Sequence, residues 1–283
     1  MKEFVITDKI TIEHIHGISE VQRQAWKMDD IGILPTFETR AISDVGFVYV
    51  ALAGEIVIGF IYGVHHFPNI HYSHMMAVLP EWQGKGVGYE LKKYHFQKAR
   101  ASSHHVEAVQ WTVDPLLPNN AYLNFAKLGC YCDIYKVNYY GDPDGDGVGI
   151  YAGVPTDRFK VTWPIHTKKV EQRMQDYRQY RITKDELLKR SEPINYIEND
   201  QYVNQQKNVQ DSFCIEIPSD YQAVKKSNLE LALNWRVKFR DLCLKYFDLG
   251  YQVIDYHSFK EGEKRLNFYE FSNNIEDKNQ NRI

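Results

Sequence analysis

The hydrophobic residues in the first half of the chain fall in short blocks separated by turn residues. The longest block, Val45–Gly63, is long enough for a membrane-spanning helix. However, Gly54-Glu55 interrupts it, and both flanks are rich in Val, Ile, Phe and Tyr. The pattern therefore predicts a hairpin of two strands, Phe47–Ala53 and Ile56–Val64.

The remaining blocks of the first half predict helices alternating with strands. We predict each helix or strand from the spacing of its apolar residues. Capping residues, glycines and prolines mark where each helix or strand ends. A further strand, His71–Leu79, ends at Pro80 because proline has no N–H for a sheet. Helices are predicted over Ser19–Lys27, Thr36–Ser43, Tyr89–Ala101 and Asn119–Leu128, and strands over Ile10–His14, Val106–Asp114 and Tyr131–Asn138.

The second half is less regular but still mixes helices and strands. Thr167–Asn208 is polar and charged, which favours a helix and a loop. The long helix Asn228–Leu249 is apolar on more than one face, so it is expected to pack between layers. Strands are predicted over Phe159–Ile165, Phe213–Ile217, Tyr251–His257 and Arg265–Phe271. The predicted class is α/β (α+β), with domains at 1–150 and 151–283.

Charge and composition exclude several classes of protein. The 283 residues carry 34 Lys and Arg against 37 Asp and Glu, a net charge of -3, so no basic surplus points to nucleic acid. Four cysteines are too few for a disulfide framework in a chain of this length. The N-terminal residues lack the apolar block of a signal peptide. We expect a cytoplasmic protein with reduced thiols, not bound to a membrane.

The segment Met75–Lys93 carries the most informative motif. A predicted strand runs into a loop with three alternate glycines, Gly84, Gly86 and Gly88, and a helix follows. Glycines allow close approach, and the N-terminus of a helix offers N–H groups and a positive dipole end to an anion. The spacing lacks the Lys-Ser/Thr of a Walker loop and differs from the dinucleotide-binding pattern.

This segment resembles the acetyl-CoA motif of the GNAT N-acyltransferase superfamily, Gln/Arg-x-x-Gly-x-Gly/Ala, at Gln83, Gly86 and Gly88. The preceding hairpin is similar to the second and third strands of that fold. Asn120-Ala121 through Phe125-x-Lys127-Leu128-Gly129 resembles its second motif. The resemblance covers about residues 10–140. The whole chain also resembles a long bacterial branch with a C-terminal extension, some of whose members are linked to N-acylation of amino acids.

The resemblance implies an acyl-CoA site. The pantetheine arm would pair with the backbone of the strand, where an N–H near Ala77 would face the thioester oxygen. The loop would bind the pyrophosphate, and Lys85 or Lys93 would reach the 3′-phosphate unless it is simply solvated. The implied cofactor-binding residues are Met76, Ala77, Val78, Gln83, Gly84, Lys85, Gly86, Val87, Gly88, Asn120 and Asn124.

The general acid and base are less well defined. Many family members use a tyrosine of the second motif as the acid, but this chain has Phe125 there. Tyr122 is the nearby alternative, although most of the 20 tyrosines are expected to serve packing. Candidates for the base are His74, Asp114 and Glu107. His74 could equally be a hydrogen-bonded histidine on a half-buried strand, and Asp114 could organise the turn at Pro115.

Other motifs predict no metal and no hydrolase. Asp142-x-Asp144-x-Asp146 begins like a calcium loop, but its twelfth position is Gly153 instead of Glu. His71 and His74 are expected on opposite faces of their strand, and no Gly-x-Ser-x-Gly elbow is present.

The sequence therefore predicts an acyl-CoA-dependent N-acyltransferase. Acetyl-CoA is the default donor and succinyl-CoA is possible; a small amine or amino acid is the acceptor, and a homodimer is compatible. The alternative is a non-catalytic acyl-CoA-binding protein on the same fold. Residues 151–283 are interpreted as an α/β subdomain covering the acceptor site, or as a degenerate GNAT-like half.

Overall fold

A computed structural model of the chain describes residues 3–27, 32–66, 68–141, 153–205 and 211–274. These residues form two compact units. Within the described ranges, the first unit covers residues 3–111 and the second covers residues 112–141, 153–205 and 211–274. The division falls in the fifth strand of the chain, between Trp111 and Thr112.

The first unit is built on a mixed sheet with the strand order β1-β2-β3-β4-β5. The first four strands pair in antiparallel fashion, and β4 pairs with β5 in parallel. The predicted hairpin is confirmed as β2 and β3. The strands are β1 (Val5–Thr7), β2 (Gly46–Ala53), β3 (Ile56–His66), β4 (Ile70–Val78) and β5 (Ala108–Val113).

Three α-helices contact this sheet: α1 (Ile12–Trp26), α2 (Thr36–Val45) and α3 (Val87–Arg100). A short 3-10 helix, Pro80–Trp82, follows β4. The apolar core includes Ile18 and Val21 of α1, Phe60 of β3 and Leu91 of α3. Burial of these side chains holds the helices on the sheet, because removing apolar surface from water lowers the free energy of the folded chain.

The predicted strand Ile10–His14 is wrong. Helix α1 begins at Ile12, and Thr11 is its N-cap with its side chain accepting from the N–H of His14. The N–H of Thr11 donates in return to Nδ1 of His14. This reciprocal capping box satisfies helix N–H groups that an extended segment would leave open.

The strands of the second unit follow the order β7-β6-β12-β13-β11-β8. Their pairs are antiparallel except the short pairing of β8 with β11. Strands β9 and β10 form a separate hairpin. The strands are β6 (Tyr131–Lys136), β7 (Arg158–Pro164), β8 (Glu192–Pro193), β9 (Asn195–Glu198), β10 (Gln201–Asn204), β11 (Ser212–Ile217), β12 (Gln252–Glu261) and β13 (Lys264–Ser272).

The described helices of the second unit are mostly short. One of them, Tyr122–Lys127, is a π-helix, so the predicted helix Asn119–Leu128 is present but not regular. The α-helices are α4 (Pro118–Ala121), α5 (Lys168–Asp176), α6 (Lys184–Arg190), α7 (Tyr221–Ser227) and α8 (Leu229–Asp248), and Tyr177–Tyr180 is a 3-10 helix. The predicted long helix Asn228–Leu249 is confirmed as α8, with Asn228 as its N-cap.

The polar segment Thr167–Asn208 is more ordered than predicted. It contains α5 and α6 and the β9–β10 hairpin in its described part. A capping box at Thr183 and Glu186 starts α6. These side-chain hydrogen bonds stabilise the start of the helix, although its apolar pattern is weak. Nearly all of the predicted loop Gly141–Gly153, with its calcium-like acidic residues, lies outside the described residues. No helix among the described residues has the length and apolar character needed to cross a membrane.

Candidate functional site

Strand β4 separates from β5 partway along its length. Residues Ile70–Tyr72 pair with Ala108–Gln110, and in the described residues no pairing of these strands continues beyond Tyr72. On its other side β4 pairs with β3 as far as Val78. The C-terminal part of β4 therefore has one edge that β5 does not cover, and an extended ligand can pair there with backbone groups.

The register of β4 shows which backbone groups face this open edge. The N–H of Leu79 donates to the carbonyl oxygen of Ile58, 2.9 Å away, and a Cβ on Gly59 would lie 3.0 Å from the carbonyl oxygen of Ala77. Ala77 and Leu79 therefore face β3. Because backbone groups of successive strand residues point to opposite edges, Met76 and Val78 face the open edge. Met76, Ala77 and Val78 are all predicted to contact the cofactor, but the backbone groups of Ala77 face β3 and not the open edge.

The glycine loop leads directly into the N-terminus of α3. Gly84 and Gly86 have φ values of +74° and +88°, a backbone conformation that favours glycine. Gly86 is the N-cap of α3 and provides no side-chain hydrogen bond, so the helix starts with its dipole end exposed to ligand. The geometry offers the anion-binding arrangement that the loop sequence predicts.

The other loop residues have less specific surroundings. A Cβ on Gly88 would meet Met76 Cε at 3.7 Å and Val78 Cγ2 at 3.9 Å, both ordinary contacts. Gln83 donates from Nε2 to the carbonyl oxygen of Val78, 3.1 Å away, and so closes the loop on β4. Lys85 is exposed, with Nζ 4.8 Å from the centroid of the Trp82 ring. Val87 is buried in the core of the first unit.

His74 lies in a β-bulge of β4, two residues before the open-edge segment. The register shifts here, because Tyr62 is opposite Met75 and the next β3 residue, Gly63, is opposite Ser73. The imidazole is exposed and lies near the rings of Tyr62 and Tyr72, at 5.8 and 6.4 Å between centroids. Desolvation by burial lowers the pKa of His74 below its ordinary value, which favours the neutral imidazole that can accept a proton.

Glu107 lies at the other end of β4. It precedes β5, and its N–H donates to the carbonyl oxygen of Asn69, while its exposed carboxylate accepts from Nδ2 of Asn69 at 3.1 Å. Since a strand rises about 3.3 Å per residue, roughly 20 Å separates Glu107 from Met76. The structure does not bring this carboxylate to the predicted pantetheine segment.

Asp114, in the second unit, is held in a buried ion pair. Its two carboxylate oxygens accept from Nη1 and Nη2 of Arg236, both at 2.8 Å, and Oδ1 also accepts from the N–H of Leu116 at 2.9 Å. Burial alone would raise the pKa of Asp114, but the guanidinium charges of Arg236 and Arg158 hold it below the usual value. A carboxylate so engaged is a poor proton acceptor, and the bond to Leu116 fits the alternative role of organising the turn.

Tyr122 and Phe125 lie on the π-helix and have different environments. The hydroxyl of Tyr122 accepts from Nη2 of Arg181 at 2.7 Å. Phe125 is fully buried, with its ring edge-on to the rings of Phe159 and Tyr269 at 6.4 and 5.5 Å between centroids. A phenyl ring suits this apolar position, because a tyrosine hydroxyl would need a hydrogen-bond partner there.

The two predicted asparagines also lie in the second unit. Asn120 is exposed in α4, and Asn124 is buried in the π-helix, where its carbonyl oxygen accepts from the N–H of Cys130 at 3.0 Å. The predicted site residues are thus distributed over the two units: Met76 to Gly88, His74 and Glu107 in the first, and Asp114, Asn120, Tyr122 and Asn124 in the second.

Two polar clusters were not predicted. In the first unit, Nδ1 of His71 lies 3.1 Å from Nε2 of His95, both buried, and the buried Lys92 lies over the Trp111 ring at 3.4 Å from its centroid. His71 lies on β4 and His95 lies on α3, 24 residues later in the chain. This contact could be predicted only by knowing which face of α3 packs against β4.

The other cluster consists of Asp255, His257 and Glu270, in the second unit. One ligand-type atom of each lies within 4.8 Å of the others. Basic groups already compensate these acids: Nη2 of Arg173 donates to Asp255 at 2.5 Å, and Nη2 of Arg190 donates to Glu270 at 2.7 Å. Both buried acids of the cluster therefore take part in ion pairs with arginines.

One family model matches the sequence of most of the first unit and the start of the second. Residues 15–130 match the model of the Acetyltransferase (GNAT) family. These residues therefore resemble a GNAT acetyltransferase domain, and the match covers less than half of the chain. No curated protein matches the sequence.

Several solved structures resemble somewhat more than half of the chain. An IAA acetyltransferase from Bacillus cereus ATCC 14579 is 19% identical, with a TM-score of 0.44, and the alignment covers 56% of this chain and 97% of that one. The ribosomal-protein-S18-alanine N-acetyltransferase of Escherichia coli is 14% identical, with a TM-score of 0.45 and coverage of 57% and 94%. A GNAT family acetyltransferase from Elizabethkingia anophelis with acetyl-CoA bound is 16% identical, with a TM-score of 0.42 and coverage of 58% and 99%.

Proposed function

We propose that this chain is an acyl-CoA-dependent N-acyltransferase that acylates a small amine or amino acid. The open edge of β4 beside the glycine loop is the observation that carries this proposal. Acetyl-CoA is the donor in the first instance, and succinyl-CoA or another short acyl-CoA is the alternative. The proposed division is a GNAT domain over residues 1–150 and a C-terminal α/β subdomain over residues 151–283.

In the proposed complex, the backbone groups of Met76 and Val78 pair with the pantetheine arm. The Gln83–Gly88 loop and the first turn of α3 hold the pyrophosphate with N–H groups and the helix dipole. An N–H at the open edge of β4 stabilises the oxyanion that develops at the thioester carbonyl. Lys85 and Lys93 are the candidates for contact with the 3′-phosphate.

The reaction is a direct transfer within a ternary complex. The acceptor nitrogen forms a C–N bond with the acyl carbon, and the C–S bond of the thioester breaks. One proton leaves the nitrogen and another is taken up by the departing thiolate. His74 is the proposed base, because its imidazole is exposed, lies two residues from the open edge, and has a lowered pKa that favours the neutral form. The departing thiolate takes its proton from solvent, and Tyr122 is the alternative acid.

The buried phenyl ring of Phe125 favours one alternative, a non-catalytic acyl-CoA-binding protein. The position where many GNAT enzymes have a tyrosine acid is occupied here by a side chain that cannot donate a proton and that is packed on Phe159 and Tyr269. Such a protein would bind acyl-CoA through the same loop and strand but would not release CoA.

Release of free thiol from acetyl-CoA separates the two functions. The purified chain is incubated with acetyl-CoA and a panel of small amines and amino acids. The transferase proposal expects release that depends on the acceptor, and binding without release for any acceptor would favour the binding protein.

The role of His74 is tested with the same assay. His74→Ala should lower kcat by about 100-fold, a typical contribution of a general base, and leave the affinity for CoA unchanged. His66→Ala, at an exposed histidine on β3, is the matched control and should retain full turnover. Full turnover of His74→Ala would remove His74 from the mechanism without affecting the proposed transfer.

A further inference from the structure

The second unit contains an open cavity of about 380 Å³ that the proposed acyl-CoA contacts do not use. We call it the arginine–tyrosine pocket. Its size suits a small organic ligand. Six of its lining residues define its character: Arg173, Arg181, Arg265, Tyr122, Tyr177 and Tyr180.

The charges along this pocket do not balance. Three guanidinium groups line it together with a single carboxylate, that of Asp255. Arg173 already pairs with this carboxylate at 2.5 Å. Among the described residues, the guanidinium groups of the other two arginines donate only to hydroxyls: Arg181 to Tyr122 at 2.7 Å, and Arg265 to Ser258 at 3.1 Å. Arg181 and Arg265 are therefore available to an anion.

Arg181 is also held in place by the walls of the pocket. Its guanidinium carbon lies 6.0 Å from the centroid of the Tyr122 ring and 5.7 Å from that of Tyr177. Cation–π contacts and the hydrogen bond to Tyr122 fix the planar group before a ligand arrives. A fixed guanidinium matches the two oxygens of a carboxylate or phosphate better than a mobile ammonium does.

A third observation concerns Arg173, a buried residue of the pocket lining. Arg173 is only 6% exposed, and its Nε has no hydrogen-bond partner among the described residues. A buried donor without a partner is costly, so an acceptor supplied by a ligand or a water would stabilise this group. The tyrosine rings meanwhile offer flat apolar surface to the body of such a ligand.

We propose that the arginine–tyrosine pocket binds a small aromatic molecule with an anionic group, either a carboxylate or a phosphate. Arg181 and Arg265 pair with the anion, and the aromatic body lies against Tyr122 and Tyr177. The inference does not rest on acyl transfer, because every residue that carries it belongs to the second unit.

Calorimetric titration of the full chain tests the proposal with three probes. 3-Phenylpropionate and phenyl phosphate carry the two kinds of anion, and 3-phenylpropanamide is the neutral counterpart. We expect at least one anionic probe to bind at least about tenfold more tightly than the amide. The anion accepts charge-assisted hydrogen bonds from the arginines, whereas the neutral amide accepts weaker ones. Inorganic phosphate is titrated separately, and its binding as tightly as phenyl phosphate would overturn the aromatic part of the proposal.

Two substitutions locate the binding. Arg181→Gln combined with Arg265→Gln should weaken binding of the anionic probe at least tenfold while leaving the amide unaffected. Arg178→Gln is the matched control, because Arg178 is exposed, pairs with Asp176 and does not line the pocket. All titrations are repeated at saturating CoA, and melting temperatures confirm that the variants are folded.

The proposal is overturned if the double variant binds the anionic probe as tightly as the unsubstituted chain. It is also overturned if no anionic probe exceeds the amide, or if saturating CoA displaces the probe. Failure of the acyl-CoA proposal has a different signature, which is the absence of CoA binding in the same calorimeter.

Discussion

The two units place their polar groups in opposite ways. In the first unit, the candidate site is made of backbone, namely the open edge of β4, two glycines with positive φ and the N-terminus of α3. In the second unit, the polar groups are buried side chains joined in ion pairs such as Asp114–Arg236 and Asp157–Arg240. A backbone site can be specified by a short motif, whereas each ion pair needs two residues that the fold must bring together.

The sequence separations make this difference concrete. The Asp114–Arg236 pair spans 122 residues, and the Asp157–Arg240 pair spans 83. In both pairs the arginine comes from α8, so this helix is tied to two acidic residues from distant parts of the second unit. We expect stability to depend most on side-chain pairs in the second unit, and ligand binding to depend on backbone in the first.

The largest effect should come from the buried pair of the second unit. Arg236→Ala should lower the free energy of unfolding by about 3–5 kcal/mol, because it leaves the buried carboxylate of Asp114 without its bidentate partner. Urea unfolding measures the loss. Lys245→Ala, at an exposed position of the same helix, is the control, and Asp114→Asn in the Arg236→Ala background should restore part of the stability. A loss below 1 kcal/mol would contradict the comparison.

The first unit should respond to acid through its buried histidines. Burial, aided by the charges of His65 and His104, lowers the pKa of His71 to about 4, while an unfolded histidine titrates near 6.5. Between these values the unfolded chain binds a proton that the folded chain does not. Stability should therefore fall as the pH drops from 7 to 5, by about 2 kcal/mol from His71 alone.

His71→Gln tests this by removing the titration while keeping a polar side chain beside His95. The difference in unfolding free energy between pH 7 and pH 5 should shrink by about 2 kcal/mol in this variant. His66→Gln is the control at an exposed histidine of the same unit. An unchanged pH dependence in His71→Gln would show that the pair does not stay neutral in the folded chain.

A smaller effect is expected from the glycine loop, and it concerns binding more than stability. Gly86 and Gly54 both have positive φ, +88° and +62°, and open space where a Cβ would stand. Alanine at either position should cost about 1 kcal/mol of stability through backbone strain. Only Gly86→Ala should also weaken CoA binding, by about tenfold or roughly 1.4 kcal/mol, because the added Cβ stands where the pyrophosphate approaches. Equal CoA affinities of the two variants would show that the glycine loop does not contact CoA.

The smallest effect is expected at Tyr122. Its hydroxyl accepts one hydrogen bond from Arg181 at the wall of the arginine–tyrosine pocket. Tyr122→Phe should therefore cost no more than about 1 kcal/mol of stability and should change turnover by no more than about threefold. A fall in turnover of about 100-fold would instead identify Tyr122 as the general acid.

Local sequence signals predicted the first unit well. The Gly54-Glu55 turn, the strand ending at Pro80 and the glycine loop each depend on residues within one short segment, and the structure has all three. The motif also identified the family of this part of the chain. The exception is the start of α1, where the capping box at Thr11 is local but was not recognised.

The features that could not be predicted depend on long-range contacts. No pattern near Asp114 indicates that Arg236 neutralises it, so it looked like a candidate base. The bulge at His74 and the distance of Glu107 from Met76 follow from strand register, which single residues do not encode. The arginine–tyrosine pocket combines residues from Tyr122 to Arg265, too far apart for a motif.

The most direct test of the central claim is the melting temperature of the purified chain with CoA, acetyl-CoA and succinyl-CoA, and with ATP and NAD as controls. A ligand that binds the folded chain alone raises the melting temperature by mass action. We predict a rise with the CoA compounds that ATP and NAD do not produce. No rise with any CoA compound, or an equal rise with ATP, would contradict an acyl-CoA site at the open edge of β4.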